Sequence, residues 1–443
     1  MLVQFTVKNF RSFQGEQTLN LVASNYIKEL PQNILQPDGV AGLKKSKLVR
    51  AAALYGANAS GKSNLLKAMT FLKFMVVDSA LGLKVDEPLD TQPFALSGEN
   101  DPISCFEIEV IIDQQLHRYQ LQTTPRHVVL ERLERERIRT PEVLFQRTRK
   151  DNGEYAWEFS DKRKSELDLA SKVRPNSTFV STSAQWNGKL TAMFHSFMKD
   201  KLNVVHANHF KNLLPFETIR AFENKVIKKE QLLHFLQIAD RTISDFQYDK
   251  KEESIDQFRE KFPGVTLPKN TSDAAKVLRL EMETIRRKND GTSWVSPFRQ
   301  TESDGTTTLF SFIGPFFDVL ANNKVLLVDE VESSLHPRLL MELIHFFQNT
   351  HPESTAQLVF TTHNPLLMEP EKFHYPEGLL RRDQIWMCEK NQQSATELIR
   401  LDEYSPRKGE SLAKGYMTGR YGGVPVIPGH IADAVGWNHE TKS

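Results

Sequence analysis

One stretch constrains this chain more than any other: LYGANASGKSNLLKA, residues 54–68, in which Gly56, Gly61, Lys62 and Ser63 fit the spacing G-x-x-x-x-G-K-S. The apolar run LVRAAALY precedes the first glycine, and KSNLLKAMTFLKFMVV follows with apolar residues at helical spacing. The order is strand, glycine loop, helix. A loop of this kind needs glycines so that consecutive backbone N–H groups can turn inward on an anion, and a helix whose positive N-terminal end points at the same place. Lys62 would set a point charge against the β and γ phosphates, and Ser63 would offer its hydroxyl to a magnesium ion bridging them. Asn58, inside the loop, joins the phosphate-binding set. A chance match occurs in roughly a few per cent of chains this long, and the flanking strand and helix lower that further.

Hydrolysis needs a second site, with an acid to hold magnesium and a base to orient water. The segment KVLLVDEVESSLHPRLL, residues 324–340, supplies both. Val325 to Val328 read as a buried parallel-type strand that ends in Asp329 and Glu330, at the carboxyl edge of a sheet where phosphates bind in such folds. Asp329 would hold magnesium and Glu330 would act as base. A third run, AQLVFTTHNPLLM, reads as a strand over Leu358 to Phe360 that ends in Thr361, Thr362, His363 and Asn364. His363, placed after this strand, would report the γ phosphate; elsewhere a lone histidine is usually structural.

The rest of the composition mainly excludes. The chain has 443 residues, ample for a buried core without staples. Its two cysteines, Cys105 and Cys388, have no zinc or redox spacing, so a reducing cytoplasm is the expected location. The N-terminus MLVQFTVKNFRSF is too charged for a signal core, and no apolar run approaches the length of a membrane span. With 57 Lys and Arg against 56 Asp and Glu, the global basic excess of a nucleic-acid binder is missing.

Val3, Phe5 and Val7 alternate into a half-buried strand before the turn KNFRSF. Residues 92–160 consist of short alternating stretches such as CFEIEVII and HRYQLQTT, which indicate an antiparallel lobe. Residues 185–262 carry helical patterning, clearest where Phe216, Ile219, Phe222, Val226 and Leu233 share one side. The expected class is α/β: a P-loop head with a mixed sheet core, an antiparallel β lobe, an inserted helical lobe and no long coiled coil. The expected divisions are 1–184 for the N-terminal head, 185–300 for the helical insertion, 301–380 for the C-terminal head and 381–443 for a C-terminal segment.

Together, the glycine loop, Asp329 with Glu330, and TTHN at 361–364 resemble the heads of ABC-type ATPases of the SMC and RecF kind, and KNFRSF resembles their opening. The resemblance implies ATP with Mg2+, sandwiched between two heads. TESDGTTTLFSFIGP, residues 301–315, resembles the signature motif that one head offers to the other, with Asp304 where a glycine is usual. Ser303, Gly305 and Thr306 would then face the γ phosphate of a second chain. SSLHP, residues 333–337, resembles the loop that crosses the dimer interface, with Pro337 opening a helix. Gln92 would be a further magnesium-side residue, and Arg11 a further nucleotide contact. The late GRYGGVPVI, with ESDGT and DEVESSLHP, is similar to the AAA15 group of short ABC-type ATPases, of which RloA and AbiL are examples. That similarity implies phage defence, a homo-oligomer of at least a head-to-tail dimer, and an effector protein encoded by a neighbouring gene, with no membrane partner. Two alternatives stay open: a RecF-like ATPase that binds DNA directly, and an ATP-binding scaffold with little turnover.

Overall fold

The computed structural model describes the chain apart from residues 41, 42, 44, 45, 97, 99–101, 138, 139, 161–167, 206–213, 258–275, 333, 350–352, 374, 408 and 426–443. Its central sheet has six strands in the order Leu202–Val205, Val325–Val328, Gln357–Thr361, Ala51–Tyr55, Ile385–Lys390 and Thr396–Arg400. The first five are parallel and the last is antiparallel. Every residue of Ala51–Tyr55, Val325–Val328 and Gln357–Thr361 is buried, which is why the first two, and residues 358–360 of the third, read as unbroken apolar runs rather than alternating ones.

A second sheet is fully antiparallel, in the order Tyr155–Phe159, Glu142–Arg149, Val128–Arg135, Gln115–Thr123, Ser104–Ile112, Leu2–Lys8 and Gln17–Asn20. The helix Lys62–Val77 lies between the two sheets. Its Leu65, Leu66, Met69, Leu72 and Met75 share a core with Phe5 and Val7 of one sheet and with Ala52, Leu54, Leu327 and Val359 of the other. Each such side chain contributes about 1.5–3 kcal/mol on full burial, so the helix after the glycine loop is anchored on both faces. Because strand side chains alternate, Ala51, Ala53 and Tyr55 face the opposite core, shared with the helices Asp304–Ala321 and Pro337–Asn349. The expected mixed core and antiparallel lobe are therefore both present. The longest helix among the described residues, Asp304–Ala321, has 18 residues, and none is long and apolar enough to cross a membrane.

The region read as helical does contain the helices Leu214–Glu223 and Lys229–Ala239, but a three-stranded antiparallel sheet follows: Ile243–Ser254, Lys276–Arg287 and Ser293–Pro297. Its first strand, ISDFQYDKKEES, hides its periodicity because cross-strand ion pairs replace apolar alternation. Lys251 pairs with Glu281, Glu252 with Lys276 and Glu253 with Arg279. Residues 381–443, set apart in the sequence reading, supply two strands of the central sheet, one of them paired directly to Ala51–Tyr55.

One contact fixes the helix that begins after Ser303. Gly314 N donates to Thr218 Oγ1 at 3.1 Å, and Thr218 Oγ1 donates to Phe310 O at 2.7 Å, so a hydroxyl is inserted into the helical ladder beside Pro315. A Cβ on Gly314 would strike the backbone of Thr218.

Candidate functional site

The glycine loop leaves its strand at Tyr55 and enters its helix at Lys62. Gly61 has φ +114° and no side chain with which to cap that helix, which leaves the helix N-terminus available to an anion. There is no room for a side chain at either glycine. A Cβ on Gly56 would lie 2.5 Å from Cys388 O, and one on Gly61 would lie 2.6 Å from Thr396 Cγ2 and 2.9 Å from Ser12 Oγ. The loop is thus clamped between the strand beginning at Thr396 and the turn that follows Leu2–Lys8.

That clamp explains residues to which sequence reasoning gave no role. Asn64 Nδ2 donates to Ser12 Oγ at 2.8 Å; Thr396 Oγ1 lies 2.9 Å from Ser12 Oγ and donates to Ser60 O at 2.7 Å. These three residues come from distant parts of the chain, so no spacing could have announced them. Arg11 adjoins Ser12, has φ +52°, and donates its backbone N–H to Gln92 O at 2.5 Å. Its guanidinium stacks 5.5 Å from the Phe10 ring centroid, and its Nε is buried without a partner. Gln92 is held through that carbonyl; its side chain is exposed and not hydrogen-bonded to Ser63 or Asp329. Asn58 is exposed on the loop.

Lys62 folds back across its own loop. Its Nζ donates to Gly56 O at 2.7 Å and Ala57 O at 3.0 Å. Burial lowers its pKa, opposed by the negative charges of Glu332, Asp329 and Glu330.

The two acidic residues arrive where the sequence placed them, at the carboxyl end of Val325–Val328. Asp329 is buried, and its Oδ1 accepts from Ser63 Oγ at 3.0 Å and from Thr361 Oγ1 at 2.8 Å. Thr361 Oγ1 accepts in turn from Glu330 N at 2.7 Å. Glu330 is exposed, with φ +52°, a backbone conformation unusual for a side chain of its length. The strand carrying Thr361 lies between the glycine-loop strand and the acidic strand, so one row of hydrogen bonds ties all three strand ends together.

His363 follows on the central strand. Its N–H donates to Glu332 Oε1 at 2.5 Å. Burial lowers the imidazole pKa and the nearby Lys62 ammonium adds to that, which favours the neutral ring. Glu332 was not singled out in the sequence, although it follows Glu330 by two residues. Burial pushes its carboxyl pKa up, and its Oε2 is buried with no hydrogen-bond partner.

Ser303, Gly305 and Thr306 are brought together elsewhere. Ser303 caps the helix Asp304–Ala321 by accepting from Thr306 N at 3.1 Å. A Cβ on Gly305 would lie 2.9 Å from Ser334 O, so the loop before Pro337 crosses the helix start. Ser333 lies outside the described residues. Pro337 opens the helix Pro337–Asn349 as expected. Ser303, Gly305 and Thr306 line a cleft of about 1300 Å³ with Phe235, Leu335 and His336, and no glycine-loop residue lines it. Within one chain the glycine loop and this helix start face different spaces.

Among the described residues no group of three or more His, Cys, Asp or Glu could hold a metal ion unaided. Ser63 with Asp329 suits magnesium of the kind that takes its remaining ligands from phosphate and water.

No curated protein matches the chain. Similar solved structures include an SMC head bound to the C-winged helix domain of ScpA, at 13% identity and TM-score 0.43, covering 91% of this chain and 99% of that one. The SMC head domain from Thermotoga maritima matches at 13% identity and TM-score 0.37, over 90% and 98% of the two chains. An Smc head with an extended coiled coil, bound to the C-terminal domain of ScpA derived from Pyrococcus furiosus, matches at 11% identity and TM-score 0.40, over 91% and 97%. A family profile described as "AAA domain, putative AbiEii toxin, Type IV TA system" matches residues 51–369, from the first residue of the glycine-loop strand to just beyond His363. The chain belongs to that AAA-domain family.

Proposed function

We propose that this protein is an ABC-type ATP hydrolase whose ATP-dependent head-to-tail assembly controls a separately encoded effector, a nuclease or toxin, in bacterial antiphage defence. The observation that carries the catalytic half is Asp329, whose Oδ1 receives the hydroxyls of both Ser63 and Thr361. It joins the glycine loop to the acidic strand at one atom. Gly56, Asn58, Gly61 and Lys62 would hold the phosphates, with Arg11 a further nucleotide contact, and Ser63 and Asp329 would hold Mg2+. Bound there, Mg2+ would offset charge on the β and γ phosphate oxygens. Glu330 would take the proton of the attacking water, and His363 would sense the γ phosphate across Lys62.

Two observations support the assembly half. Ser303, Gly305 and Thr306 form a capped helix N-terminus directed at a cleft away from their own glycine loop, which suits them to the phosphates of a second chain. The family description names a toxin and a type IV toxin–antitoxin system, which supports control of an effector.

The test is the mass of purified Glu330→Gln protein with and without ATP and Mg2+, alone and co-expressed with the product of the neighbouring gene. A larger ATP-dependent species containing that product is expected. A homomeric species indifferent to nucleotide would leave an ATP-binding scaffold in place of this reading.

A further inference from the structure

The C-terminal residues 411–425 do not stand apart from the glycine loop; they pack beside its first glycine. Leu412–Met417 forms a short helix whose Tyr416 is 3% exposed, and the Tyr416 ring meets the Tyr55 ring edge-on at 5.4 Å between centroids. Tyr55 is the last residue of the glycine-loop strand. The chain then turns through Gly422 and Gly423, both in the left-handed region at φ +67° and +70°. Gly423 is buried, and a Cβ built on it would lie 3.4 Å from Gly56 Cα, 3.6 Å from Cys388 O and 3.6 Å from Tyr416 Cε2.

Other contacts keep this turn in place. Tyr416 OH donates to Gly423 O at 3.4 Å, and the turn lies against the Glu389 carboxylate. A Cβ on Gly422 would collide with the Glu389 carboxylate, so that position has no space for a side chain, whereas one on Gly423 would sit at ordinary contact distance from Gly56. Tyr421 is fully buried, with its hydroxyl on Glu410 at 2.6 Å and its ring 5.5 Å from that of Tyr404. Glu410 also holds Arg420 at 2.6 Å. The first glycine of the phosphate loop thus lies among the Ser60 hydroxyl of its own loop, the carbonyl of Cys388, the Lys62 ammonium that bonds its oxygen, and the C-terminal glycine turn.

We propose that Tyr416, with the Gly422–Gly423 turn, positions the phosphate loop, so that nucleotide occupancy and the setting of residues 411–425 are coupled. The physical basis is close packing. A loop whose first α carbon lies beside the turn rearranges around phosphates together with the turn or is held in place by it. Lys62 commits two of its three N–H donors to the carbonyls of Gly56 and Ala57, which leaves the third for a phosphate, and the Gly56 peptide it holds lies beside the turn. Tyr416 is a positioning residue rather than a catalytic one, since it acts through Tyr55 and Gly56. The inference rests on the nucleotide-site reading above.

The test is hydrogen–deuterium exchange on the full chain, with and without a non-hydrolysable ATP analogue and Mg2+, followed over peptides spanning 51–68 and 411–425. Both regions are expected to slow together, at the same nucleotide concentration. In Tyr416→Ala the 51–68 response is expected to need several-fold more nucleotide, whereas Tyr416→Phe, which keeps the ring contact with Tyr55, should match the wild type. If 51–68 responds in the wild type while 411–425 does not, the coupling is overturned and the nucleotide site stands. If Tyr416→Ala titrates like the wild type, the positioning role is overturned. If 51–68 itself fails to respond in the wild type, the nucleotide-site reading falls and the coupling falls with it.

Discussion

Thr361 Oγ1 lies 2.8 Å from Asp329 Oδ1 and 2.7 Å from the backbone nitrogen of Glu330, so one hydroxyl of the central strand fixes both acidic residues of its neighbour. It donates to the first and accepts from the second, which commits its only proton. Thr361→Val keeps the shape and removes both bonds. The expected cost is about 1–3 kcal/mol of stability, with a fall in kcat larger than any rise in KM, because Glu330 loses its anchor. Thermal unfolding and steady-state ATP hydrolysis check this; a lowered Tm with an unchanged kcat would restrict Thr361 to the fold.

Lys62→Ala removes the charge that the loop now stores against its own carbonyls. ATP affinity is expected to fall about 100-fold or more, the loss of charge-assisted bonds to phosphate. Isothermal titration reads it directly. Unchanged affinity would remove the central claim about the loop.

Glu330 and His363 should separate binding from chemistry. Glu330→Gln is expected to bind ATP as the wild type does and to hydrolyse it about 10²–10⁴-fold more slowly, the usual contribution of a positioned base. His363→Ala is expected to slow single-turnover hydrolysis with little change in affinity. Normal single-turnover chemistry in either variant would show that the residue was misassigned.

Thr218 is predicted to matter to a helix it does not belong to. Thr218→Val should cost about 1–3 kcal/mol, because Gly314 N and Phe310 O would both be buried without partners. Chemical denaturation measures it, and a cost near zero would mean that the helix closes its own ladder.

Cys388 gives a probe of the loop's far wall. Burial pushes its thiol up to about 12, so at pH 8 in the native protein it should resist alkylation that it undergoes readily once unfolded. Mass spectrometry of iodoacetamide-treated protein, native and denatured, counts the modified thiols. Rapid native modification of Cys388 would mean that its strand opens beside the glycine loop.

The parts of this architecture that were legible in the sequence share one property: their signal is local. Val325–Val328 and residues 358–360 show as apolar runs because both faces are buried, and Pro337 and the glycine loop follow from backbone needs that only certain residues meet. The strand Ile243–Ser254 was not legible, because Lys250, Lys251, Glu252 and Glu253 are paired to other parts of the chain and look like a solvated face when read alone. Ser12, Asn64 and Thr396 share a hydrogen-bond cluster, but the first and last are 384 positions apart, and no spacing rule covers that distance. Glu332 was open to notice, as a carboxylate two residues beyond Glu330. Its importance shows only in the fold, where it is half-buried and holds the backbone of His363.

The strand order has a consequence for how the protein is made. The glycine-loop strand Ala51–Tyr55 takes its sheet neighbours from Gln357–Thr361 and Ile385–Lys390, with Ala51 paired to Leu358, about 300 residues later. At typical synthesis rates that separation corresponds to a wait of roughly 15–60 s on the ribosome. During that interval an entirely apolar strand has no partner in its own sheet, and its closure must then overcome the loop entropy of most of the chain. Folding of the head is therefore expected to be late and slow, with a nascent chain that depends on holding chaperones until its last strands emerge.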